Sequence, residues 1–427
     1  MRTGLGALTN RGRSFLASGV AALLCAFLLG EHDLLRIGVL VVALPLLAAM
    51  VVARTRYRLS CARRLDPPRV EAGGEATVTL RLENVTRLPT GLLLIEDTVP
   101  YALGARPRFV LDRVEAQGVR EVDYKVRSDL RGRFPIGPLT VRITDPFGLV
   151  ELARSFTISD TLVVTPQVVA LPALRVSGEW TGGGESRTRS VAAAGDDDVA
   201  PREYRHGDDL RRVHWRSTAR RGELMVRREE QQWQSRGALL LDTRRHAHRG
   251  EGPRSSFEVA VSTAASIGVH LAGDGLGLRL VTDQGAEHLA DGGAGISLLD
   301  TLAVVRQSQT RTLDFGVAAL RQGGGDGLIV AVLGAVDPEE ARTLARVRRG
   351  NMTGIAVLLD TVAWDRPELA EGEQFQQTRT VLAAAGWRVV RLPAATSPAA
   401  VWQDAVQHAG RVPGDLSTSL GVGGGAA

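Results

Sequence analysis

Two apolar stretches separated by only a few residues, Ser14–Gly30 and Ile37–Ala53, constrain this chain more than any other feature. Each is 17 residues long, the lower limit for an α-helix that crosses the hydrocarbon core of a bilayer. Local thinning or snorkelling of flanking side chains is therefore expected. Glu31, His32 and Asp33 read as a tight polar turn between the stretches, and Arg36 can reach the interface at that end. Arg2, Arg11 and Arg13 precede the first stretch, and Arg54, Arg56 and Arg58 follow the second. Six arginines against one put both flanks in the cytoplasm by the positive-inside rule. A cleaved signal peptide is the weaker alternative, because a second apolar stretch follows at once and no small-x-small site precedes it. Leu24 is also too large to precede a lipoprotein cysteine at Cys25. The expected localisation is the plasma membrane, crossed twice, with both termini and the soluble domains cytoplasmic.

Charge supports this reading and excludes others. The formal net charge is +5 over 427 residues. Residues 1–64 hold nine arginines against Glu31 and Asp33 and carry +7, so the remainder is −2. The basicity belongs to the flanks of the apolar stretches rather than to a nucleic-acid-binding face. Lys125 is the only lysine, so amine chemistry has one candidate and no Gly-Lys-Ser/Thr phosphate loop exists. The two cysteines, Cys25 and Cys61, supply neither a disulfide framework nor a cysteine-rich zinc site.

Residues 57–169 alternate in the manner of strands. Val78, Leu80 and Leu82 share one face of Ala76–Glu83, Leu92–Ile95 reads as a buried run, and Val119–Val126, Leu139–Ile143 and Phe156–Val164 continue the pattern. Glycine and proline punctuate it, which predicts an antiparallel β-sandwich. Asp145-Pro146-Phe147-Gly148 is a turn between strands rather than a kinase metal motif, since no glycine-rich loop accompanies it. Asn84-Val85-Thr86 fits a glycosylation sequon but carries little weight in a cytoplasmic domain.

Residues 170–235 read as a flexible linker, including Thr181–Ser186, plus an arginine-rich segment. From 236 to 410 strands alternate with helices: Ala238–Leu241, Leu276–Thr282, Leu328–Leu333, Ile355–Leu359 and Arg388–Leu392 are strands. Helices are expected over Phe257–Leu271, Pro338–Val347, Phe375–Ala385 and Val401–Ala409. Such alternation predicts a mainly parallel sheet covered on both faces. Residues 411–427 read as a disordered tail. The resulting organisation is multidomain: a transmembrane hairpin with basic flanks over 1–56, then the sandwich, the linker segment, the α/β domain and the tail.

The most unusual segment, Arg202–Glu230, has nine arginines and six acids in 29 residues, interleaved with Tyr204 and Trp215. Guanidinium forks and carboxylates in that density favour bidentate pairs and stacking. Arg202, Tyr204, Gly207, Asp208, Arg212, His214, Trp215, Ala219, Arg220 and Leu224 resemble the signature of the bacterial family catalogued as domain of unknown function 58. Leu130–Pro138 and Asp145–Leu149 are similar to that family's sandwich signature. The resemblance implies a membrane-anchored protein with a von Willebrand factor A-like (Rossmann-like) domain. It also implies a MoxR-type AAA ATPase and other envelope proteins as partners. Three readings of the arginine-rich segment stand side by side. It is an interdomain clamp over a buried Trp215, a protein-docking surface, or a nucleic-acid groove, the last disfavoured by the six acids. On the docking reading the binding residues are Arg202, Tyr204, Arg205, Gly207, Asp208, Arg212, His214, Trp215 and Arg220.

Domains of the A type hold Mg²⁺ through Asp-x-Ser-x-Ser after the first strand, a set of hard oxygen ligands. Here Asp242-Thr243-Arg244-Arg245-His246 follows Ala238–Leu241, and Arg244 and His246 stand where hydroxyls would be. An arginine there would repel a cation or replace its charge by pairing with Asp242, so a degenerate site without metal or other cofactor is expected. His246-x-His248 with Glu251 is an incomplete zinc set and reads as solvated loop histidines. His270 reads as a packed or capping histidine, and His214 as structural. Ser255-Ser256 reads as a helix cap, with Ser256 over the exposed amides and Glu258 at the helix's positive end. No nucleophile motif emerges. The expectation is a non-enzymatic scaffold or adaptor on the lipid bilayer, with no nucleic acid. The alternative is a metal-dependent hydrolase or transferase using Asp242, Asp337 and Asp360 at the carboxyl end of the sheet.

Overall fold

In a computed structural model the described residues are 7–54, 59–87, 89–145, 147–173, 201–203, 215–227, 236–288, 294–323, 327–350, 352–362, 364, 372–394 and 396–407. The chain forms two compact units, Met1–Gln167 with Leu299–Val305, and Val168–Leu298 with Arg306–Ala427.

The first unit begins with two apolar helices, α1 (Asn10–Leu29) and α2 (His32–Arg54). Both are long and apolar enough to be candidate membrane spans. At about 1.5 Å per residue they measure ~30 and ~35 Å, because helix extends past both apolar stretches into their arginine flanks. The connection is tighter than the expected polar turn: Gly30 caps α1 at φ 70°, and His32 and Asp33 already lie in α2. Small residues let the helices touch. A β-carbon on Gly19 would stand 2.6 Å from Val42, and one on Gly38 2.9 Å from Leu23.

Ten strands follow: β1 (Leu59–Asp66), β2 (Arg69–Glu71), β3 (Glu75–Asn84), β4 (Leu92–Asp97), β5 (Arg108–Leu111), β6 (Val119–Arg127), β7 (Gly132–Ile136), β8 (Leu139–Thr144), β9 (Glu151–Phe156) and β10 (Asp160–Thr165). They form sheets β1-β3-β6, β2-β10-β7 and β5-β4-β8-β9. All pairs are antiparallel except β2 with β10, which is parallel and departs from a purely antiparallel sandwich. Val78, Leu80 and Leu82 are fully buried, as their alternation requires. Leu92–Ile95 is not a uniformly buried run: Leu93 and Ile95 face the core and Leu92 faces out. Phe156–Val164 divides between β9 and β10. Asn84 is buried, donates to the Glu115 carbonyl and accepts from Thr86, so the apparent sequon is a structural turn.

Arg63, on β1, is buried where the three sheets meet. It pairs with Asp97 on β4 through Nη2 (2.7 Å) and Nε (3.2 Å). Its Nη1 donates to the carbonyls of Ile136 (2.9 Å) and Ile158 (3.0 Å). Tyr124 on β6 donates to the same Asp97 at 2.7 Å. Burial and the Asp97 carboxylate push the Tyr124 phenol well up against the opposing effect of Arg63.

In the second unit β11 (Pro201–Glu203) pairs antiparallel with β12 (Met225–Arg227), and α3 (Trp215–Arg221) lies between them in sequence. These elements lie in and at the edge of the arginine-rich segment. The main sheet contains β13 (Arg236–Leu241), β14 (Gly277–Thr282), β15 (Gly285–His288), β16 (Leu328–Leu333), β17 (Thr353–Leu359) and β18 (Arg388–Leu392). Its order is β15-β14-β13-β16-β17-β18, parallel throughout except for the antiparallel edge strand β15. The helices are α4 (Ser256–Gly273), α5 (Ala294–Val304, of which the residues from Leu299 belong to the first unit), α6 (Asp314–Gln322), α7 (Pro338–Ala345), α8 (Glu373–Ala384) and α9 (Pro398–Gln407). β16 is buried at every position, as a central parallel strand covered on both faces should be. The strand order reverses between β13 and β16, the switch point at which doubly wound sheets open a crevice beyond their carboxyl ends.

Candidate functional site

That crevice is filled by side chains of the chain itself. The main-chain N–H of Asp242 continues the ladder beyond β13, donating to the Val332 carbonyl at 2.9 Å. Its carboxylate is fully buried, and Arg244, two residues on, folds back onto it. Arg244 Nε donates to Oδ1 and Nη2 to Oδ2, both at 2.9 Å. The other guanidinium hydrogens are also engaged. Nη1 donates to Glu340 Oε1 and to the Arg311 carbonyl (3.4 Å), and Nη2 to the Ala335 carbonyl (3.2 Å). All five N–H donors of the fork are accounted for. Asp242 is saturated too, since Oδ1 accepts the Arg244 main-chain N–H (3.1 Å) and Oδ2 that of Gly334 (3.2 Å). Burial opposes the charge on Arg244, but Asp242 and Glu340 outweigh it and hold the guanidinium above its ordinary value.

Glu340 reaches the network because of where α7 starts. Asp337 caps that helix by accepting from the Glu340 N–H at 2.8 Å, and Glu340 Oε2 accepts from the Asp337 N–H at 3.3 Å. The second oxygen of Glu340 is left facing Arg244. Gly334 is required by a close approach: a β-carbon there would stand 2.4 Å from the Ala247 carbonyl.

A second polar knot adjoins the first. Buried Asp283, just after β14, accepts from the main chain of Thr243 (3.1 Å), from the Thr243 hydroxyl and from the Ser308 hydroxyl. Burial would raise its carboxyl, but hydrogen bonds from Ser308, Thr243 and Thr310 outweigh it and hold the group below its ordinary value. His248 corrects the sequence reading: His246 is exposed, but His248 is buried rather than solvated. Its Nε2 lies 2.8 Å from the Asp242 carbonyl and must donate, so Nδ1, 3.1 Å from Ser256 Oγ, accepts. Burial lowers the His248 pKa and keeps the ring neutral. Ser256 serves this histidine and the Arg249 N–H, while Ser255 is the residue that caps α4, accepting from Glu258. His270 packs edge-on against Trp402, ring centroids 5.9 Å apart.

The three candidate catalytic aspartates are not brought together. Asp242 is bound to Arg244, Asp337 caps α7, and buried Asp360 beyond β17 accepts Nε (3.0 Å) and Nη2 of Arg391. Among the described residues no group of three or more histidine, cysteine or acidic side chains is arranged to hold a metal. Of the arginine-rich segment, Tyr204, Arg205, Gly207, Asp208, Arg212 and His214 lie outside the described residues. Arg202 is on β11, and Trp215 and Arg220 are on α3. Trp215 is 70% exposed, so the reading that buried it beneath a clamp is wrong. The hydroxyl of Thr218, on α3, accepts from the N–H of buried Met225 at 3.0 Å and ties the helix to β12.

The second unit is thus a doubly wound α/β domain with a saturated ion-pair network at its switch point. Residues 200–308 match the family described as "Protein of unknown function DUF58". The uncharacterized protein YeaD of Bacillus subtilis (strain 168) is 26% identical over 216 residues, 48% of this chain and 51% of that one. The chain thus spans about half the length of this curated relative. Both matches support the DUF58 family. Among solved structures, the CARDB domain of a Pyrococcus furiosus protein is 10% identical, covering 25% of this chain and 93% of its own at a TM-score of 0.20. The putative ApaA protein of Bordetella pertussis is 13% identical, with 25% and 92% coverage and a TM-score of 0.19. Similarity at that level carries no functional argument.

Proposed function

We propose that this protein is a membrane-anchored, non-enzymatic scaffold or adaptor for protein assembly whose α/β unit is of the von Willebrand factor A type. Strand order, with a single antiparallel edge strand, supports that assignment. The observation that carries the functional reading is the guanidinium of Arg244 at the strand-end aspartate. A domain of this type would be expected to bind Mg²⁺ through oxygens at this point. The residues do not fit such an ion: Asp242 has no lone pair to spare, and a positive charge already fills the space beside it. The charge is internal and permanent, so the switch point has no place for a reactive cation and the surface is left for recognition. Magnesium titration by calorimetry of the full chain tests this. No saturable binding is expected, and micromolar binding lost in Asp242→Ala would overturn it.

Two apolar helices followed by arginine-rich flanks favour a hairpin through the plasma membrane with both soluble units cytoplasmic. A reporter fused after Ala53 should stay inside the cell. A MoxR-type AAA ATPase as partner rests on family resemblance, with Arg202, Trp215 and Arg220 as part of the docking surface. Co-purification from native membranes with and without ATP should recover such an ATPase, and charge reversal at Arg205 and Arg212 should weaken the recovery. The hydrolase or transferase reading needs an available carboxylate pair, and Asp242, Asp337 and Asp360 each have other partners.

A further inference from the structure

The turn between β8 and β9 is held from within and fastened to the start of α1. Asp145, which is buried, holds it from within: Oδ2 accepts the Phe147 N–H at 3.0 Å and Oδ1 the Val150 N–H at 2.6 Å. Gly148 follows at φ 68°, and Phe147 is 62% exposed. The start of α1 is fastened to this same turn. The Thr9 N–H donates to the Leu149 carbonyl at 2.9 Å, its hydroxyl donates to the Gly148 carbonyl at 2.7 Å, and Leu8 bridges Val150. A β-carbon on Gly12 would stand 2.2 Å from the Leu149 carbonyl, so only glycine permits the approach. Leu8, Leu149 and Val150 form a buried cluster with Leu16 of α1 and Leu44, Ala48 and Ala49 of α2. Both helices are therefore seated on the turn at one end of the hairpin.

This geometry fixes where the turn lies if the hairpin spans a bilayer, and the inference rests on that reading. Ser14, the first residue of the apolar stretch, is four residues beyond Asn10, or about 6 Å along the axis. The turn is then level with the headgroup layer. Arg11 and Arg13 are exposed on the same helical turn, and the Arg11 guanidinium lies 3.9 Å from the β position of Gly148. Cations at that level attract anionic headgroups, and an exposed Phe ring on the same turn gains by burial at the boundary between headgroups and acyl chains. We propose that Phe147 is a membrane-interface anchor, inserted into the leaflet from which α1 and α2 rise, which holds the β-rich unit against the lipid surface.

The test uses the full chain in vesicles of phosphatidylcholine and phosphatidylglycerol. An environment-sensitive fluorophore is attached at Phe147→Cys in a Cys25→Ala background, Cys61 being buried. In parallel the fluorophore is attached to Cys25 of the unaltered chain. Expected are several-fold stronger quenching of the 147 probe by a nitroxide just below the headgroup than by aqueous iodide, and quenching of the Cys25 probe by nitroxide lipids. A 147 probe reached by iodide but not by nitroxide, with the Cys25 probe still quenched by lipid, would overturn the anchor and leave the spans standing. A 147 probe shielded from both quenchers would mean that protein covers the turn, which also overturns it. A Cys25 probe untouched by lipid nitroxides would remove the spans and the anchor together.

Discussion

Arg63 and Arg244 are both buried, and each forms a two-pronged pair with an aspartate, yet they serve opposite purposes. Arg63 reaches Asp97, 34 residues away, and carbonyls 73 and 95 residues away, so it joins strands that chain proximity could not hold together. Arg244 binds its neighbour two residues back and fills a crevice. The first is a cross-link between sheets, and its removal should be felt through the whole β-rich unit. The second, on the proposed function, stands where a metal ion would otherwise sit. Both guanidiniums also reach partners far away in sequence, Arg244 to Glu340 96 residues on, so what separates the two is their place, one between sheets and the other at the switch point of the parallel sheet.

The largest expected effect breaks the first pair. Asp97→Ala takes the two-pronged partner from buried Arg63, leaving it only the half-exposed Asp160 carboxylate at 3.3 Å, and should cost about 3–5 kcal/mol. Hydrogen-exchange mass spectrometry of the full chain in detergent should show lost protection across β1, β3 and β6. Arg244→Ser should cost a similar amount without added salts, again about 3–5 kcal/mol. It differs in its remedy: a hydroxyl beside Asp242 and Glu340 restores an oxygen set, so millimolar Mg²⁺ should raise the melting temperature of this variant by several degrees and leave Asp97→Ala unmoved. Equal insensitivity of both variants would erase the distinction drawn here.

A smaller effect follows from His248. Its folded pKa lies below the ordinary 6.5, so the unfolded chain takes up the proton first as pH falls. Stability from this group is complete above 6.5 and lost below it, at up to about 1.4 kcal/mol per pH unit until the folded ring titrates. His248→Gln should flatten that part of a thermal-melt profile. Asp283, whose carboxyl is held below its ordinary 3.8, contributes stability that is complete above 3.8 and is lost only at more acid pH, as pH falls through the lower folded value. The smallest effect is at the exposed Lys125–Glu75 pair, N–O distance 3.1 Å. Lys125→Ala should move stability by about 0–1 kcal/mol, within the error of a denaturant melt. A large loss there would mean that burial is not what sets the two arginine pairs apart from a surface pair.

Much of this was legible from spacing. Val78, Leu80 and Leu82 alternate, and the run Leu328–Leu333 is the buried strand β16 to the residue. β15 escaped notice because Gly285-Ala286-Glu287-His288 has no β-branched residue and is defined only by its pairing with β14. Asp242 and Arg244 were readable as neighbours, but Glu340 comes from 96 residues away and Asp283 meets Thr243 from 40 away. Glu340 did leave a trace in Asp337-Pro338-Glu339-Glu340, the spacing of a capping box, though nothing local showed that its free oxygen would face Arg244. His248 looked like a loop residue because its partners, the Asp242 carbonyl and Ser256, belong to the loop's closure rather than to any motif.

The connection between α1 and α2 has a consequence of its own. Only Gly30 and Glu31 separate the two helices. In the proposed topology the far face of the bilayer sees little beyond Glu31, His32 and the Asp33–Arg36 pair. If that topology holds, a signal to the two large units would have to arrive through lipid or from the compartment they share.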